Sequence, residues 1–162
     1  RHVAFLGLRA SHGIAHHLHY TFGLLSHTGR LLHDLAGALP DQLEVLGPED
    51  VLVAVSQAPY TRQTVEAVQF AVQTGVPVLA LTDSRLSPIA QGARHVLLFA
   101  AASPAFFQSQ TGAQALAETL IAAVVAAGDA ALIDRLAARQ DRLRASKAYW
   151  ERPGRLTSPR KT

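Results

Sequence analysis

Val51-Leu52-Val53-Ala54-Val55-Ser56-Gln57-Ala58-Pro59-Tyr60-Thr61 is the stretch that decides the fold. Its first five residues are apolar without alternation, the pattern of a strand covered on both faces. Small and polar residues follow, and then Val65, Val68 and Val72 repeat at helical spacing over about 61–74. Gly75 closes that helix as a C-cap, with Pro77 just beyond. Strand, short loop, helix is half of a βαβ unit.

The same grammar extends in both directions. Val3–Leu8 and Val76–Leu81 read as further buried strands, Val96–Phe99 as a shorter one and Arg30–His33 as a weaker fifth. Ile14, Leu18, Phe22 and Leu25 make one apolar stripe on a helix over 12–26. Ser87-Pro88 reads as an N-cap with proline at the first helical position, opening a short helix through Gln91. Two longer helices are expected over 109–127 and 129–147, broken at Gly128-Asp129. Strands alternating with helices predict an α/β domain, a three-layer α/β/α sandwich around a parallel sheet. Ligands of such sheets sit outside the carboxyl ends of the strands, where the strand order reverses. The loops after Leu8, Val55, Leu81 and Phe99 are therefore the places to search.

Bulk properties narrow the class. The 162 residues suit a single domain, and 49% of them are hydrophobic. Apolar blocks are interrupted well before the ~20 residues of a membrane span, and no secretory leader opens the chain. Cysteine is absent, which removes disulfides and thiolate chemistry and suits a cytoplasmic location. The net charge of +3 comes from the tail 151–162, where Arg152, Arg155, Arg160 and Lys161 outnumber Glu151. A nucleic-acid footprint needs basic residues on a folded face, so DNA binding is not read from this charge, and the tail is expected to be flexible. The chain opens on Arg1 and holds no Met, which suggests that the natural start lies upstream.

Two loops bring hydroxyls to helix starts: Gly7-Leu8-Arg9-Ala10-Ser11 and Ser56-Gln57-Ala58-Pro59-Tyr60-Thr61. Free backbone N–H groups and the positive end of the helix dipole attract anions there. Ser11 and Thr61 taken singly fit ordinary N-caps equally well. Their pairing on neighbouring strands points to one phosphate-sized site.

Ser56 through Thr61 resembles the Ser-x-Ser-Gly-x-Thr motif of SIS (sugar isomerase) domains, and Val3 through Ser11 is similar to that family's first-strand loop. Leu81-Thr82-Asp83-Ser84-Arg85-Leu86-Ser87-Pro88-Ile89-Ala90 and Ser103-Pro104-Ala105-Phe106-Phe107-Gln108-Ser109 resemble segments of RpiR/MurR-type transcriptional regulators. The resemblance covers about 3–147, so 1–150 is read as the SIS domain. It implies a five-stranded parallel sheet of flavodoxin-like topology and a homodimer or tetramer. The implied ligand is a phosphorylated sugar or sugar acid, with no cofactor. It also implies that DNA is reached only through an upstream helix-turn-helix domain, and that no membrane is involved.

By this resemblance Ser11, Ser56 and Thr61 match phosphate contacts, and Gln57 matches a position that assists them. Ala58 stands where the motif has its second serine and Pro59 where it has glycine, removing a hydroxyl and a backbone N–H. Each lost hydrogen bond to a charged group is worth roughly 1.5–3 kcal/mol. Arg9 either offsets that loss by gripping phosphate or carboxylate, or pairs with a surface acid. His12, next to Ser11, is the histidine expected to reach the ligand.

The alternative reading is a phosphosugar isomerase or lyase. Isomerisation needs a general base beside the reacting carbonyl. No His follows His95, Gln63 stands where many relatives carry Glu, and Glu66 and Glu118 are not obvious bases. A binding role is the stronger expectation. His12, His16 and His19 share a helical spacing compatible with a metal site, but no acid or thiol joins them in that helix and none is expected.

Overall fold

A computed structural model describes residues 1–150; the basic tail 151–162 lies outside them. Among the described residues, β1 (Val3–Leu6) leads into α1 (His12–Leu25), β2 (Gly29–Leu31) and α2 (Leu39–Glu44). β3 (Val51–Val55), α3 (Arg62–Gln73), β4 (Val78–Thr82) and β5 (His95–Leu98) follow, then α4 (Thr111–Ala126) and α5 (Ala130–Ala145). The five strands form one sheet in the order β2-β1-β3-β4-β5, every neighbouring pair parallel. Residues up to Ala127 make one compact unit, and the described residues from Gly128 on make another that contains α5. Asp129 caps α5, its carboxylate accepting from the Leu132 N–H at 2.9 Å.

The period-two pleat sorts the apolar runs onto two faces. Phe5, Val53, Val55 and Leu81 pack with Ile14, Ala15 and Leu18 of α1 and Ala113 and Ala117 of α4. Ala4, Leu6, Leu52, Ala54 and Ala80 pack on the opposite face with Leu39 and Leu43 of α2 and Ala67, Val68 and Ala71 of α3. This is the expected three-layer sandwich. The order reverses between β1 and β3, so their loops flank the switch point.

Local chemistry moved several boundaries. β4 begins at Val78, not Val76, because Pro77 has no N–H for the ladder; its carbonyl still accepts from Leu52. β2 occupies Gly29–Leu31, slightly ahead of the predicted Arg30–His33. The predicted helix from Ser87 to Gln91 is a run of turns instead. Ser87 N–H bonds to Ser84, Ala90 N–H to Ser87 and Ala93 N–H to Ala90, each three residues back. The six-residue α2 was not foreseen; Pro40 sits in its first turn, and its buried face rests on Leu39 and Leu43. No single helix among the described residues is long and apolar enough to cross a membrane.

Candidate functional site

The β1–α1 loop closes tightly because Gly7 has no side chain. A Cβ there would lie 2.5 Å from the Ser11 carbonyl oxygen and 3.1 Å from the Ala15 Cβ. Arg9 turns the chain with φ of 54°, a left-handed conformation that non-glycine residues adopt at a cost and that concentrates at functional sites. Ser11 then opens α1 without a side-chain capping bond. Across the switch point Thr61 opens α3, again with no side-chain cap. Both hydroxyls are thus left available where N–H groups of a first helical turn lack intrahelical acceptors.

These corners share a cleft of about 450 Å³. Arg9 and Ser11 line it from the first loop, and Gln57, Ala58, Pro59 and Thr61 from the second. The segment after β5 completes it with Phe106, Phe107, Gln108 and Gln110. Of the residues singled out in the sequence, Arg9, Ser11, Gln57 and Thr61 therefore meet at one opening. Ser56 is not among the lining residues: it is buried, and its N–H extends the β3–β4 pairing to Leu81. His12 does not line it either and is exposed on α1.

The cleft's polar inventory is uneven. Gln57 is 6% exposed and its Oε1 has no hydrogen-bond partner, and the buried Oε1 of Gln110 is likewise unpartnered. A buried unpaired polar atom carries its desolvation penalty until something fills the gap. Arg9 is the one formal charge on the lining, and no carboxylate partners it among the described residues.

Asp83, just past β4, was quoted in the sequence only as part of a family-like segment. It organises the second loop: its carboxylate accepts from the Ala58 N–H at 3.3 Å, the Tyr60 hydroxyl at 3.0 Å and the Thr82 hydroxyl at 3.3 Å. The Ala58 N–H is therefore turned away from any ligand. Burial, and then the bond to Asp83, raise the Tyr60 phenol above its ordinary pKa.

Groups considered as bases or metal ligands lie elsewhere. Glu66 pairs with Arg62 at 2.9 Å, Glu118 accepts from Gln114 at 2.8 Å, and Gln63 bonds to Asp34. His12, His16 and His19 all lie on α1 at the expected spacing. The rings of His12 and His16 are 6.3 Å apart, while His19 packs edge-on against Phe5. Among the described residues no three acidic, thiol or imidazole groups converge as a metal site. Phe106 and Phe107 do not enter the core: they are 92% and 76% exposed.

Fold and cleft define the class: an open, doubly wound α/β domain with its opening at the reversal of strand order. The chain belongs to the SIS domain family, whose profile matches residues 1–131. Its place is with the RpiR-type members. It is similar to the sugar isomerase domain of an RpiR transcription factor from Sphaerobacter thermophilus, with 30% identity and a TM-score of 0.79 over 89% of this chain and 78% of that one. The NanR protein of Vibrio vulnificus, solved in complex with ManNAc-6P, shares the fold at 20% identity and a TM-score of 0.76, over 91% of this chain and 56% of that one. A candidate sugar-phosphate isomerase of Listeria monocytogenes shares it at 20% identity and a TM-score of 0.63, over 77% of this chain and 68% of that one. Comparison with curated protein sequences gives no match.

Proposed function

We propose that this domain is the effector-binding part of an RpiR-type transcriptional regulator, taking a sugar phosphate or related anionic carbohydrate in the cleft between its first and third strand loops. The observation that carries the reading is the convergence of Arg9, Ser11, Gln57 and Thr61 on one opening, with neither hydroxyl spent on capping its helix. Arg9 supplies charge, Ser11 and Thr61 supply hydroxyl donors, and the first turn of α3 supplies backbone N–H groups. In this reading the protein acts as a dimer in the cytoplasm. DNA contact belongs to a helix-turn-helix domain preceding the domain described here, and ligand binding biases the dimer's geometry.

Binding is favoured over isomerisation because no carboxylate or imidazole is among the cleft's lining residues, and proton transfer next to a carbonyl needs one within reach. The test is a calorimetric and thermal-shift screen of aldose, ketose and amino-sugar phosphates, ManNAc-6P included, and sugar acids, run beside turnover assays. The expected outcome is saturable stabilisation by at least one anionic sugar without conversion. Turnover that survives purification, or no response to any anion, defeats the proposal.

A further inference from the structure

We propose that Arg135, Arg139 and Arg142 of α5 form a phosphate-contacting surface for duplex DNA, adding a sequence-independent contact to the one assigned above to the upstream domain. Charge is segregated along the chain. From Gly128 to Thr162 the sequence holds nine Lys and Arg against four Asp and Glu, a net of +5, while the residues before Gly128 hold six against eight, a net of −2. Such asymmetry points to a polyanionic partner when the cations sit on a folded face. α5 supplies that face. Arg135, Arg139 and Arg142 stand four and three residues apart, so they share one strip of the helix. Asp134 and Asp141 occupy a different strip, where Asp141 pairs with Arg144 at 3.7 Å.

Arg135 and Arg142 are exposed and Arg139 is half-buried. Neither Arg135 nor Arg142 has an ion-pair partner among the described residues. Arg142 and Arg144 in the last turn suit the negative end of the helix dipole, but Arg135 lies too far from that end for the dipole to account for it. The cations of this helix are all arginine, whose planar fork matches two phosphate oxygens at once. Their strip spans about 10 Å along the axis, a length over which one strand of a duplex passes about three phosphates. A lipid surface fits less well, because a helix seated in a membrane needs its apolar strip uncovered. Here Leu132 is buried, and Leu136 and Leu143 are half-buried.

The test is fluorescence anisotropy of a labelled duplex of arbitrary sequence titrated with the purified 162-residue chain. Three neutralised phosphates predict an affinity that falls about fortyfold or more between about 50 and 200 mM salt. Arg135→Gln, Arg139→Gln and Arg142→Gln together are expected to lower the slope of log affinity against log salt by about 2.7, also in a chain whose four tail cations are glutamine. Arg30→Gln, Arg85→Gln and Arg94→Gln, which remove the same charge from exposed positions elsewhere, are expected to leave the slope unchanged. Glutamine is a good helix former, and far-UV circular dichroism checks folding. Should the triple variant unfold, Arg135→Gln with Arg142→Gln spares the half-buried Arg139 and still predicts a drop of about 1.8. No binding by the parent, an equal loss in both triple variants, or binding that depends on the tail alone overturns the proposal. So does binding to phosphatidylserine-containing vesicles without binding to the duplex.

Discussion

Tyr60 donates its phenolic proton to the Asp83 carboxylate at 3.0 Å, tying the loop after β3 to the end of β4. Tyr60→Phe is expected to lower stability by roughly 1–2 kcal/mol by leaving that carboxylate short of a donor. Because the phenol's pKa is raised in the folded chain, the contribution is fully present below the unfolded value of about 10 and is lost as pH rises through the higher folded value. Denaturant melts of both proteins from pH 7 to 11 should show the gap between them closing at the alkaline end. A gap that stays constant or widens rejects the assignment.

Gly7→Ala tests the tight turn beneath the cleft. The added Cβ meets the Ser11 backbone rather than a movable side chain. Loss of about 1–3 kcal/mol is expected, together with weakened anion binding. A melting midpoint equal to that of the parent would show that the turn opens freely.

Thr61→Ala and Ser11→Ala separate ligand contact from helix capping. Removing a working N-cap costs roughly 0.5–2 kcal/mol. Neither hydroxyl caps its helix, so stability should change by less than about 0.5 kcal/mol in each variant. Anion affinity should fall about tenfold for each, as a lost charge-assisted bond implies. Calorimetry and chemical denaturation on the same samples read both quantities, and a large stability loss with intact binding reverses the assignment.

Asp50 predicts the acid limb. Its carboxylate accepts from the Gly47 N–H at 3.0 Å and the His2 N–H at 2.6 Å, and these bonds hold its pKa below the ordinary carboxylate value. Its stabilisation is complete above the unfolded value of about 4 and drains away as pH falls through the depressed folded value. Asp50→Asn should therefore be less stable than the parent at pH 7 and converge with it near pH 2. Parallel curves across that range would count against the assignment.

The strand-loop-helix order and the parallel sheet were legible in the linear chain. Continuous apolar runs and helical repeats such as Val65, Val68 and Val72 report local periodicity, which needs no partner to be read. Ser11 and Thr61 were singled out because they stand at strand-to-helix corners, and Gln57 because its loop resembles the SIS motif. Boundaries were less so: Ser87-Pro88 offered a good helix start, yet turns won over the following residues, which seat Ile89 in the core. The linear chain also grouped His12, His16 and His19, although the sheet takes His19 against Phe5 and leaves the other two outside.

By itself, then, the sequence determined the α/β class and which loops to search for a site, because both follow from short-range pattern and backbone chemistry. Tertiary structure alone decided that Asp83 holds the second loop, that Ser56 is buried, and that Phe106 and Phe107 line the cleft. Those facts join residues between 23 and about 100 positions apart, and only the packing of strands side by side sets such distances.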